Sequence, residues 1–162
     1  TPDLLPTIGA LPRGSLVILR ARHAHRRAML ASAILAKART RGLIVLIDDD
    51  PKLAASAKAH GIHLPHAKMR QAMHWRALHP EWIITIAAHS LRGLAAGAAD
   101  AALLSPVFPT ASHPGAAALG AARARLMARQ AVLPVLALGG IDANKAGLLA
   151  GFAGVAAISA LI

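Results

Sequence analysis

Short apolar runs separated by longer stretches of helical periodicity set the pattern of this chain. Residues 15–20 read SLVILR, a strand, and residues 25–41 carry Leu30, Ile34, Leu35 and Ala38 at the spacing of one helix face, closed by Gly42. Residues 43–47, LIVLI, repeat the strand and run into Asp48, Asp49 and Asp50, after which Pro51 suits the first turn of a helix reaching residue 59. The same alternation predicts strands at 62–64, 82–87, 101–108, 134–138 and 155–159, with helices at 67–78, 90–98, 117–131 and 143–150. Near-continuous apolar strands separated by helices imply a parallel sheet covered by helices, either doubly wound or closed into a (β/α)8 barrel. Closure would need one strand more than the seven read here. Residues 1–14, broken by Pro2, Pro6 and Pro12, read as the tail of something preceding.

Residues 104–120, LSPVFPTASHPGAAALG, have the shape of a strand delivering a loop to a site. Pro106, Pro109 and Pro114 oppose helix and central-strand pairing, while Ser105, Thr110, Ser112 and His113 bring hydroxyls and an imidazole close together.

At 162 residues the chain suits a single domain with one core over 1–162. Its composition is 56% hydrophobic, but the longest apolar runs, LIVLI and WIITIAA, are strand-sized, so no membrane partner is expected. There is no cysteine for disulfides or thiolate metal sites, and nothing at the start resembles a signal peptide, which makes a cytoplasmic protein the simplest expectation. The net charge of +11 raises nucleic acid as a partner. Its distribution argues otherwise: Arg26, Arg27, Arg39 and Arg41 fall on one candidate helix, Arg123, Arg125 and Arg129 on another, and 2% aromatics leave almost no stacking platforms. These arginines read as solvated helix faces with local attraction for anionic substrates. His23 with His25, and His63 with His66, read as accidental pairs in a chain with nine histidines.

Three segments in order, AHSLRGL, AADAALLSPVFPTASHPGAAALG and LPVLALGGIDANKAGLLAGFAGVAAIS, resemble the thiamine phosphate synthase/TenI family of phosphate-binding TIM barrels, a likeness extending over residues 15–160. The resemblance implies a (β/α)8 barrel whose first strand and last helix are missing from the given chain. The active site would lie at the C-terminal strand ends, where the polar residues would converge. The gap left by a missing strand would be filled by further residues or by another copy, making a homo-oligomer.

Gly139 and Gly140 end a strand in a loop, where backbone N–H groups can approach an anion unobstructed. The resemblance places the phosphate of a thiazole phosphate there, with help from Ile158, Ser159 and Ala160. Arg20 and Arg22 provide two planar N–H forks where synthases grip the aminopyrimidine pyrophosphate, although Ile18 replaces a glutamine and Arg22 a lysine. Asp48 and Asp49 match an Asn-Asp pair, so Asp49 is the expected Mg2+ ligand. Lys68 stands at the second family acid, and Pro65 and His66 replace a glycine-glutamine pair. His89 matches the histidine of an HSL segment that serves as general acid and base in the tautomerase branch, with Ala87 where the family has a serine. Thr110 matches a family threonine, and His113 takes the place of a lysine that stabilises the departing pyrophosphate. The implied activity is thiamine biosynthesis by synthase chemistry on thiazole phosphate and aminopyrimidine pyrophosphate. The alternatives are a thiazole tautomerase using His89 and a non-catalytic barrel that binds a phosphorylated metabolite.

Overall fold

A computed structural model of the chain describes residues 4–20, 24–95, 97–110 and 117–157. Seven parallel strands alternate with helices in an α/β fold. Two compact units emerge: residues 1–63 with 79–83, and residues 64–78 with 84–162.

In the first unit, α1 (Leu4–Ala10) precedes β1 (Leu16–Leu19), α2 (Ala24–Arg41), β2 (Ile44–Asp48), α3 (Pro51–Ser56) and β3, which spans Gly61–Leu64. The tail expected at residues 1–14 therefore contains a helix. Pro6 falls in its first turn, where the missing N–H removes no intrahelical bond. Along α2, Ala31, Ile34, Leu35 and Ala38 form the buried face at helical spacing. Val45, Leu46 and Ile47 of β2 are all fully buried, as a strand covered on both faces requires. Asp50 caps α3 by accepting a hydrogen bond from the Leu53 amide at 3.0 Å, and Pro51 follows at the start of the helix. The register pairs Leu19 with Ile47 and Asp48 with His63. Residues just past Leu19 and at the ends of β2 and β3 are thereby set side by side.

The second unit holds a 3₁₀ segment His66–Gln71, α4 (Ala72–Leu78), β4 (Ile83–Ala88, of which all but Ile83 belongs here), β5 (Ala101–Leu104), α5 (Ala121–Arg129), β6 (Val135–Leu138), α6 (Ala143–Ala146) and β7 (Gly154–Ala156). Strands β4 to β7 run parallel in chain order, pairing Ala88 with Leu104, Leu104 with Ala137 and Leu138 with Ala156.

Here the elements are shorter than the sequence pattern predicts. The helix expected at 67–78 begins as the 3₁₀ segment, and that at 143–150 breaks into α6 and a 3₁₀ turn, Gly147–Leu149. The helix expected at 90–98 is only a 3₁₀ turn, Gly93–Ala95. Gly93 and Gly97 weaken helix there, and Gly93 is tightly packed, since a Cβ on it would lie 3.0 Å from that of Ala88. The strand expected at 101–108 stops at Leu104, since Pro106 has no N–H for the ladder, and Val107 donates to the Leu138 carbonyl at 2.9 Å. Helix α5 starts at Ala121 rather than at 117, after Gly120 with φ 74°. The last strand begins one residue early at Gly154, and the expected end, residues 158–159, lies outside the described residues.

Candidate functional site

In the first unit a charged cluster occupies the C-terminal strand ends. Arg20, just past β1, donates through Nε to Asp48 Oδ2 at 3.1 Å. Arg27, in the first turns of α2, donates to the Asp48 carbonyl oxygen and lies 3.8 Å from Asp50 Oδ2. The Arg27 side chain is only 16% exposed and its buried Nε has no hydrogen-bond partner, so it is not part of the solvated helix face that the sequence suggests. His63, the register partner of Asp48, is buried. Burial pulls its imidazole down to about 4, opposed by the Asp48 carboxylate and assisted by Arg20. It is therefore neutral near pH 7. Asp49 adopts φ 53° and donates its amide to the His63 carbonyl at 2.8 Å, which locks the turn after β2. Asp48, Asp49 and Asp50 thus have separate roles: Asp50 caps, Asp48 pairs with an arginine, and Asp49 forms the turn.

The second unit presents a different chemistry. His89, immediately after β4, brings Nδ1 within 2.7 Å of the Ser105 carbonyl oxygen. A carbonyl only accepts, so Nδ1 carries the proton and the neutral ring has its acceptor at Nε2. His66 packs beside it, ring centroids 5.5 Å apart and tilted by 52°.

After β6, Gly139 and Gly140 take φ of 100° and 61°. They pass so close to the loop after β5 that a Cβ on Gly140 would collide with the Pro109 carbonyl, and one on Gly139 would lie 3.0 Å from Pro106 Cα. Phe108 closes the contact by donating its amide to the Gly139 carbonyl at 3.1 Å. Among the described residues, none accepts from the backbone amides of Gly139, Gly140 or Ile141. Lys145 reaches back, donating through Nζ to the Gly140 carbonyl at 3.0 Å and to Asp142 Oδ2 at 2.6 Å, and lies 5.6 Å from the Phe108 ring centroid. Its hydrogen bond holds the Asp142 carboxyl below the usual carboxylate range.

Of the residues singled out from sequence, Arg20, Asp48 and Asp49 meet in the first unit, and His89, Thr110, Gly139 and Gly140 belong to the second. Arg22, His113, Ile158 and Ser159 lie outside the described residues. Sequence reading takes Arg27 as solvated and His63 with His66 as an accidental pair, and does not single out Lys145. Pairing register reveals His63. The others reach their neighbours only through packing, for which a single sequence carries no signal.

Magnesium prefers several oxygen ligands in near-octahedral array. In the first unit the Asp48 carboxylate already pairs with Arg20 and that of Asp50 with the Leu53 amide. Among the described residues no group of three or more His, Asp or Glu side chains is arranged to hold a metal ion. The carboxylates of Asp48 and Asp50, already engaged, do not by themselves fit a magnesium ion.

Comparison with known proteins supplies an independent finding. The family model described as Thiamine monophosphate synthase matches residues 7–161. The chain is 31% identical over 150 residues to a thiamine-phosphate synthase of Nostoc sp., with 88% of this chain covered but only 43% of that protein. It is 34% identical over 157 residues to the thiamine-phosphate synthase of Thioalkalivibrio sulfidiphilus, covering 89% of this chain and 72% of that one. The solved thiamine phosphate pyrophosphorylase of Pyrococcus furiosus superposes with a TM-score of 0.81 at 23% identity, covering 97% of this chain and 79% of that chain, which shows the common fold. Among the described residues no helix is long and apolar enough to cross a membrane.

Proposed function

This chain belongs to the thiamine monophosphate synthase family, and on that premise we propose that it works in thiamine biosynthesis, joining a thiazole phosphate to an aminopyrimidine pyrophosphate. The thiazole ring nitrogen forms the new bond to the aminopyrimidine methylene carbon. The bond from that carbon to the pyrophosphate oxygen breaks, and the electron pair leaves with pyrophosphate. In this reading the seven strands belong to a (β/α)8 barrel, one domain acting in the cytoplasm.

The observation that carries the reading is the turn after β6. Three consecutive amides, of Gly139, Gly140 and Ile141, are left without an acceptor among the described residues in a turn whose positive φ angles only glycine adopts readily. Such a turn suits the terminal oxygens of a phosphate monoester. Arg20 is 65% exposed on its side chain and remains able to meet a second anion through the N–H groups not used by Asp48. Arg22, Thr110, His113, Ile158 and Ser159 are assigned to the substrates on the resemblance alone. The test is release of pyrophosphate on mixing the folded protein with both precursors. Release that requires both supports the reading; no release from folded protein overturns it. Thiazole phosphate should also shift the amide resonances of residues 139–141 before any others.

One observation favours a second reading. The hydrogen bond from His89 Nδ1–H to the Ser105 carbonyl leaves Nε2 as the ring position open to exchange a proton with a bound thiazole, as an acid and base acting at two ring positions requires. We infer a thiazole tautomerase on this basis, with His89 as its acid and base. It predicts isomerisation of a thiazole phosphate tautomer that is lost in His89→Ala, and activity surviving in that variant would exclude it.

A further inference from the structure

We infer that His66 is a positioning residue for His89, so that the proton-handling end of the second unit is a packed pair of imidazoles. The inference rests on the tautomerase reading of His89. His89 is exposed, and among the described residues its ring is held by one hydrogen bond, from Nδ1 to the Ser105 carbonyl, which water can replace unless a second contact supports the ring. The ring of His66 is that contact, at 5.5 Å between centroids and 52° between planes, within the range in which aromatic rings pack.

His66 is itself seated by the chain. A Cβ on Gly93 would come within 3.1 Å of His66 Nδ1, so the glycine four residues after His89 makes room for the ring. His66 Nδ1 is buried with no hydrogen-bond partner. An unpartnered polar atom in a packed position is costly. What His66 contributes at Nδ1 is therefore shape, and a carbon at that position would lose no bond. The segment AHSLRGL thus does two tasks: it places His89 at the strand end, and through Gly93 it places the ring that holds His89 in orientation.

The test separates orientation from chemistry. Two-bond proton–nitrogen spectra of the histidine rings, at a pH where they are neutral, should give the Nδ1–H pattern for His89 in the unaltered protein. In His66→Ala the pattern should move toward the Nε2–H form preferred by free imidazole, and kcat for isomerisation should fall roughly tenfold with KM little changed. His66→Phe should restore both. Gly93→Ala should have a weaker effect of the same kind by displacing the ring. If His66→Ala does not fold, His66→Gln takes its place with the same expectation. An unchanged His89 pattern in the folded variant overturns the inference and leaves the tautomerase reading intact. A His66→Phe variant that keeps the pattern yet loses turnover also overturns it, in favour of direct proton transfer by His66. Isomerisation surviving in His89→Ala rejects the tautomerase reading itself, whatever the ring spectra show.

Discussion

Asp48 in the first unit and Gly140 in the second both lie at or just past the end of a buried strand, yet they are held by different means. Asp48 is fixed by side chains: Arg20 on its carboxylate, Arg27 on its carbonyl, and buried His63 as its register partner. Gly140 is fixed chiefly by main chain, pressed against the Pro109 carbonyl, with the Lys145 side chain donating to its own carbonyl. A cluster of opposite charges tolerates loss of one member at a cost set by burial and screening, because water and the remaining partners compensate. A backbone-to-backbone approach has no such slack. The Gly139–Gly140 turn of the second unit should therefore depend on chain geometry, and the first unit should respond to pH and charge.

The largest effect tests the rigid side of that contrast. Gly140→Val puts a branched side chain at φ 61° against the Pro109 carbonyl and should destabilise the protein by roughly 3 kcal/mol or more, a fall of about 10 °C in melting temperature. A variant that melts with the parent protein would show that the two loops are not in contact. The expected loss of packing also makes this variant unsuitable as a probe of phosphate binding, for which the amide resonances are the better measure.

The next effect belongs to the first unit. The folded pKa of His63, about 4, lies below the unfolded value of 6.5, so the unfolded chain takes up a proton first as pH falls. The stability this imidazole contributes by staying neutral is fully present above pH 6.5 and is lost as pH falls toward its folded pKa. Urea unfolding from about pH 7.5 down to about pH 4 should show a loss of roughly 3 kcal/mol in excess of that seen for His63→Leu. Equal slopes for the two proteins would mean that His63 is not buried as described.

A smaller effect compares like with like. Asp50 caps α3 and Asp142 caps α6, each accepting from the amide three residues on. Asp50→Ala should cost about 1 kcal/mol or slightly more, because it also deprives the largely buried Arg27 of a carboxylate. Asp142→Ala should cost less, since Lys145 keeps the Gly140 carbonyl. Thermal unfolding of the two variants side by side gives the comparison, and the reverse order would place the tighter charge network in the second unit.

Periodicity alone was enough for the alternation of strands and helices: α2 spans Ala24–Arg41 where the pattern predicts 25–41, and each of the seven strands overlaps its predicted run. Burial of a whole strand or of a helix stripe is written in consecutive residues, so it can be read locally. The Gly139–Gly140 turn and the HSL histidine were legible for a related reason, because each follows directly on a strand end. Element lengths after β5 were not legible, since proline and glycine there act through contacts with β6 and its loop. Nor were the roles of Arg27, His66 and Lys145. An arginine on a helix face reads as solvated until tertiary packing turns it toward a carboxylate, and a histidine reads as incidental until another ring lies 5.5 Å away. Sequence by itself determined the order of elements and the chemistry offered at their ends, because those follow from local spacing. Only the tertiary structure decided which of those groups meet, because register and helix packing join residues far apart in the chain, and the free energy of such contacts appears only when both partners are in place.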